Sequence, residues 1–121
     1  MARGNRFRRA DRLRKPGEFR RVSSDGARYA GSHLIVLQKV IVGDEVKNPR
    51  IGLTVSRKVG NAVVRNRVKR RLREWFRRSR ASIPPRSETV VIARASAARA
   101  SYQELTAELE RLVVTRGGSR G

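Results

Sequence analysis

The densest chemistry in the chain is Arg65-Asn66-Arg67 followed by Lys69-Arg70 and Arg73. It is the chemistry of anion binding, not of bond making. Guanidinium forks grip phosphate oxygens bidentately and stack on bases. Between Arg65 and Arg80 the sequence places nine basic residues and one acid, Glu74. Groups that break bonds are scarce. His33 is the single histidine and there is no cysteine. That excludes a two-histidine acid–base pair, a thiolate metal site, a disulfide framework and a cysteine nucleophile. The ten acids are scattered, without the pairing that a two-metal or acid–base site needs. Asp44-Glu45 reads as a polar turn and His33 as a strand residue. No catalytic side chain and no metal ligand is expected of this chain.

The whole composition points the same way. Across 121 residues, 30 Lys and Arg face 10 Asp and Glu, a formal net charge of +20. Such a surplus calls for a polyanion, and nucleic acid is the commonest. Only five of the basic residues are lysines (Lys15, Lys39, Lys47, Lys58, Lys69). The arginine bias suits phosphate and base recognition, although a GC-rich genome would favour arginine codons as well. A membrane is not expected as a partner: apolar runs such as Leu34–Leu37 fall far short of the roughly 20 residues that span a bilayer. The N-terminus lacks the apolar stretch of a secretory signal. The lack of cysteine fits a reducing, cytoplasmic setting.

The basic run sits on a helix whose geometry can be computed. The apolar residues Val64, Val68, Leu72, Trp75 and Phe76 form one stripe, centred near about 50° on a wheel that starts at Val64. Asn66, Arg70, Arg73 and Arg77 cluster near about 230°, with Arg67, Arg71 and Arg78 on one flank and Lys69 on the other. A merely solvated face would mix signs to gain i,i+4 pairs. Here Arg65, Lys69, Arg73 and Arg77 stack like charges, and Arg65 and Arg67 occupy the helix N-terminal turns, where the macrodipole disfavours cations. Local conflict of this kind marks a functional face. Arg65 projects at about 100°, inside the apolar arc, so it must snorkel, pair or reach a cleft. Ser56, Arg57 and Lys58 precede the helix, and Ser56 through Arg73 reads as one phosphate-binding surface, aided by the free N–H groups of the helix N-terminus.

The elements that position these residues follow from period and punctuation. Residues 1–15 carry seven Arg or Lys and read as a flexible basic arm. Pro16–Val22 is a short helix bearing Phe19, stopped by Ser23-Ser24-Asp25-Gly26. Arg28–Val42 is β-rich, one strand or two, and Ile51, Leu53 and Val55 alternate along a second segment. A hairpin between these two segments is the simplest pairing. Asn61 caps a helix from Ala62 to Arg80, and Pro84-Pro85 follow it. Glu88–Arg94 reads as a central strand. A last helix opens at Ser101 or Tyr102 with Leu105, Leu109, Leu112 and Val113 buried, and Glu104, Glu108 and Glu110 outside the stripe. Trp75 and Phe76 read as core, whereas Tyr29 and Tyr102 could pack or stack. Phe7 is an aromatic without a core to join. Residues 115–121 form a tail. Thus a single domain, 16–114, is expected, α+β, with one small sheet packed by the long basic helix.

The run from Arg57 to Glu74 resembles the signature of the bacterial ribonuclease P protein subunit. Its core is Arg65-Asn66-Arg67 with Lys69-Arg70 and Arg73. The resemblance extends to the order of elements over roughly residues 5–115, including Ile92–Arg94 and the Tyr102-led helix. It implies an α-β sandwich with a left-handed βαβ crossover, a hand opposite to the general rule. It implies a protein monomer within a ribonucleoprotein, where a partner RNA carries catalysis and holds Mg²⁺. Arg65, Asn66, Arg67, Lys69, Arg70 and Arg73 then inherit contact with that catalytic RNA. A cleft that binds the single-stranded 5′ leader of precursor tRNA would involve Phe19, Leu37, Ser56, Arg57, Lys58, Asn61 and Arg65. Ser23 and Leu37 stand where aromatics are common in the family, which weakens the expected base stacking. The competing function is a structural ribosomal-type or other nucleic-acid-binding protein that uses the same basic helix.

Overall fold

The computed structural model describes residues 11–40 and 48–115. The sheet is built around its most apolar strand. Four strands, β1 (Ala27–Ala30), β2 (Leu34–Val40), β3 (Arg50–Thr54) and β4 (Ser87–Ala93), lie in the order β1-β2-β4-β3. The β-rich segment from Arg28 is therefore two strands, an antiparallel hairpin turning at Gly31-Ser32-His33. The expected hairpin between the second and third strands does not form. β4 inserts between them, antiparallel to β2 and parallel to β3, so Val90 stands opposite both Leu37 and Gly52. Alternation shows which face a strand buries but not which strand lies beside it. β4 is buried along nearly its whole length, and a strand of that kind needs a neighbour on each edge and cover on both faces.

Helix α2 (Ala62–Ser79) links the parallel strands β3 and β4 as a crossover. Asn61 caps it, with Oδ1 accepting the Val64 N–H at 3.0 Å. A 3₁₀ turn, Arg80–Ser82, closes it one residue before the expected end. A second 3₁₀ segment, Ala95–Arg99, leads to helix α3 (Tyr102–Leu109). There the Ser101 hydroxyl accepts the Glu104 N–H and the Glu104 carboxylate accepts the Ser101 N–H, a reciprocal cap. The helix continues as a π-helical stretch, Glu110–Thr115. One face of the sheet, with Leu34, Val36, Ile51 and Val91, packs on Val68, Leu72, Trp75 and Phe76 of α2 and on Leu105, Leu109, Leu112 and Val113. Each such buried side chain contributes about 1.5–3 kcal/mol of transfer free energy.

The other face carries a smaller core of Leu13, Val22, Leu37 and Val90, with Phe19 and Ile92 partly buried against it. Helix α1 (Pro16–Asp25) covers this face and runs three residues beyond the expected stop. Gly26 ends it: its N–H donates to the Val22 carbonyl at 2.8 Å. A Cβ at Gly26 would meet that carbonyl at 2.5 Å and the Gln38 carbonyl at 2.8 Å. Residues 11–15, the last part of the expected flexible arm, are docked on the sheet. Leu13 is buried, its N–H donates to the Ile51 carbonyl at 2.9 Å, and Arg12 bridges Ile51 in parallel sense. Asp11 pairs with Arg80 at the end of α2. Residues 1–10, with Phe7, residues 41–47, with Asp44 and Glu45, and residues 116–121 of the expected tail lie outside the described residues.

Candidate nucleic-acid interface

The sequence places nine basic residues from Arg65 to Arg80, eight on α2 and Arg80 in the turn that closes it, and the fold divides them into two groups. Arg67 Nη2 donates to the Ala98 carbonyl and Arg71 Nη1 to the Ala100 carbonyl, each at 2.9 Å. These two arginines tie the helix to the segment before α3. Arg77 and Arg78 share Glu74, and its carboxyl is held below its ordinary value chiefly by the Arg77 hydrogen bond. Arg80 pairs with Asp11 and lies over the Phe76 ring, 5.6 Å from its centre. The remaining four, Arg65, Lys69, Arg70 and Arg73, make no hydrogen bond or ion pair with any described residue. Asn66 and Arg70 are exposed; Arg65, Lys69 and Arg73 are half-buried.

Arg65 sits within the apolar arc, as its wheel angle requires. Its Nε is buried without a partner among the described residues, and so is that of Arg67. Of the six residues expected to meet an RNA, the side chains of five therefore make no hydrogen bond or ion pair with another described residue. Arg67 is the sixth, and it also braces the protein.

Phe19, Lys69 and Arg73 line one concavity of about 210 Å³, together with Arg12, Arg14, Leu13, Ile51, Gly52 and Leu53. Burial, and after it the nearby Arg12 guanidinium, push the Arg73 pKa below its ordinary value. Two cations are thus held close together in a partly desolvated place, and an anion between them would relieve the repulsion. Arg12 and Arg14 were not among the expected site residues. Their signal was the alternation Arg12-Leu13-Arg14, period two within a stretch read as a structureless arm.

The other expected cleft residues are not gathered in this concavity. Leu37 is 8% exposed and belongs to the smaller core. Phe19 both packs against that core and lines the concavity, so its two readings coexist. Ser56, Arg57, Lys58 and Asn61 are exposed on the connection from β3 to α2. Buried Val55 and Val59 on either side anchor that connection, and the Val59 N–H donates to the Ser56 carbonyl at 3.0 Å. Ser23 is exposed on α1.

Three side chains read as peripheral have structural duties. Glu108 was expected outside the buried stripe but is 4% exposed. Its carboxylate accepts the Leu34 N–H at 2.6 Å and the His33 N–H at 2.9 Å, holding the β1–β2 turn. His33 Nδ1 lies 2.8 Å from the Ser96 hydroxyl. Glu110 accepts the indole N–H of Trp75 at 3.0 Å. Among the described residues no group of three or more His, Asp or Glu could hold a metal ion, and no helix is long and apolar enough to cross a membrane.

Fold and charge together define a small α+β protein with a basic face on its crossover helix. Residues 7–116 match the family model for ribonuclease P. Over 119 residues the chain is 36% identical to the ribonuclease P protein component of Syntrophobacter fumaroxidans, covering 98% of each chain. It is 43% identical over 102 residues to that of Acidothermus cellulolyticus, covering 84% of each. The Staphylococcus aureus RNase P protein superimposes with a TM-score of 0.77 at 30% identity, covering 89% of this chain and 94% of that one. The chain belongs to the ribonuclease P protein component family, the protein subunit of a tRNA-processing endoribonuclease.

Proposed function

We propose that this chain binds the catalytic RNA of ribonuclease P through Arg65, Asn66, Arg67, Lys69, Arg70 and Arg73, and contacts the 5′ leader of precursor tRNA beside Phe19. In this reading the RNA carries the hydrolysis and holds the Mg²⁺ that activates water. The protein neutralises phosphates, lowers the metal requirement and favours precursor over mature tRNA. It acts as a monomer in the cytoplasm.

One observation carries the reading. The four cations on α2 without partners among the described residues lie where the family signature runs, and two of them line the concavity that also holds Phe19. A structural protein gains nothing from leaving those charges uncompensated. Exposed Arg57, Lys58 and Asn61 extend the basic surface along the β3–α2 connection. Leu37 lies too deep for a base to stack on it, so Phe19 supplies the aromatic contact.

The test is cleavage of a leader-bearing precursor tRNA by the partner RNA at low Mg²⁺, with and without the protein. The protein should restore cleavage there and be inactive alone. Unchanged cleavage at low Mg²⁺ would sink the proposal. Competition between precursor tRNA and the same tRNA without its leader tests the leader contact separately.

A further inference from the structure

Beneath α1 lies an ionic cluster that the basic face does not use. Glu88, on β4, is fully buried, an expensive position for a carboxylate unless it is paired and hydrogen-bonded. It is paired twice. Arg21 of α1 reaches it with Nη2 at 2.6 Å and Nε at 3.1 Å, and Arg50 of β3 with Nη1 at 3.2 Å. Arg50 then spends its other nitrogen elsewhere: Nη2 donates to Glu18 Oε2 at 2.6 Å and to the Arg12 carbonyl at 3.1 Å. Glu18 in turn accepts the backbone N–H groups of Arg14 and Lys15 at 2.8 and 3.0 Å. One guanidinium therefore joins β3, β4, the first turn of α1 and the docked strap.

The neighbours of this cluster in sequence are cleft residues. Glu18 precedes Phe19. Arg50 and Gly52 are two apart on β3 and share a face, and Phe19 packs over Gly52 so closely that a Cβ there would lie 2.6 Å from the ring. The strap residues that the cluster holds, Arg12 and Arg14, line the same concavity as Phe19.

We infer that Arg50 is a positioning residue for the leader contact: through Glu18 and Glu88 it fixes the first turn of α1, so that the Phe19 ring is held over Gly52 facing the concavity. This rests on the proposed leader contact and adds a residue that does not itself touch the leader. A guanidinium suits the task because its planar fork serves several acceptors at once, which an ammonium cannot do with the same geometry.

The test uses the holoenzyme reconstituted from the full chain and its RNA at saturating protein. The quantity read is the affinity ratio for precursor tRNA with and without its leader. Phe19→Ala should lower the ratio by about tenfold, the scale of one base–aromatic stack. Arg50→Gln should lower it comparably, Glu18→Gln less, and Arg50→Lys should recover only part. Combining Arg50→Gln with Phe19→Ala should add nothing to Phe19→Ala alone, since the arginine acts through the ring. Should Arg50→Gln fail to fold, the milder Glu18→Gln carries the same test. A ratio that Arg50→Gln and Glu18→Gln leave unchanged while Phe19→Ala lowers it would overturn the inference alone, as would losses that add in the double variant. A wild-type ratio of one, or no loss with Phe19→Ala, would overturn the leader contact and the inference with it.

Discussion

The Phe19 ring rests on the backbone of Gly52: a Cβ built on that glycine would lie 2.6 Å from two ring carbons and 3.2 Å from the Leu13 Cβ. The glycine is there for close approach, and the contact joins α1, β3 and the strap in one place. Gly52→Ala should destabilise the fold by about 1–3 kcal/mol, the usual cost of overpacking. Phe19→Leu in the same chain should recover part of the loss. Denaturant unfolding of the four proteins of this cycle measures the coupling, and simple additivity would contradict the contact.

Arg65 and Arg67 should separate when each is changed to alanine. Both should weaken association with the partner RNA, and each should lower the salt slope by about one, as for loss of one phosphate contact. Arg67→Ala should also lower thermal stability, because the Arg67 guanidinium braces the Ala98 carbonyl. Arg65→Ala should not, since the Arg65 side chain makes no hydrogen bond to any described residue. Salt titrations of binding, set beside melting curves of the free protein, give both readings.

Glu108→Ala should be among the most destabilising single changes on α3. It strands the His33 and Leu34 N–H groups at the start of β2. Unsatisfied buried donors cost about 1–3 kcal/mol each, so a loss of about 2–4 kcal/mol is expected. Glu108→Gln, which keeps an acceptor oxygen, should lose clearly less. Equal losses in denaturant unfolding would contradict the assignment.

Acid should loosen the Arg50 cluster before it unfolds the larger core. Burial opposes ionisation of Glu18, but the Lys15 and Arg14 N–H groups and the Arg50 guanidinium outweigh it and hold the carboxyl down to about 2, against 4.5 ordinarily. A depressed carboxylate stabilises the fold fully above the unfolded value and loses that contribution as pH falls through the folded one. The stability advantage of wild type over Glu18→Gln should therefore be constant above about pH 5 and shrink between about 4.5 and 2. An advantage that persisted unchanged down to pH 2 would show that the carboxylate charge contributes nothing.

Asn61 has two roles that substitution can divide. Asn61→Ala should cost about 1 kcal/mol through loss of the cap on α2. Asn61→Ser should retain the cap and most of the stability. If the exposed amide also meets the leader, the serine variant should keep its melting temperature and still bind precursor tRNA less tightly.

The local periodicities in the sequence determined a great deal. The stripe Val68, Leu72, Trp75, Phe76 and its basic counterface followed from 3.6-residue geometry, as did the buried Leu105, Leu109, Leu112 and Val113. Asn61 was legible as a cap because capping needs only side chain and backbone within one turn. What tertiary structure alone decided is which distant groups meet. Period two could not show that β4 lies between β2 and β3, because strand pairing is made through backbone groups that every residue shares. Nor could it show that Glu108 turns inward to two N–H groups 74 and 75 residues away, or that Arg50 joins Glu18 to Glu88. Charges on a linear chain read as solvent-facing until a fold supplies partners. The same folding that paired Arg67, Arg71, Arg77, Arg78 and Arg80 left Arg65, Lys69, Arg70 and Arg73 without partners among the described residues, and turned a net charge into a surface with a direction.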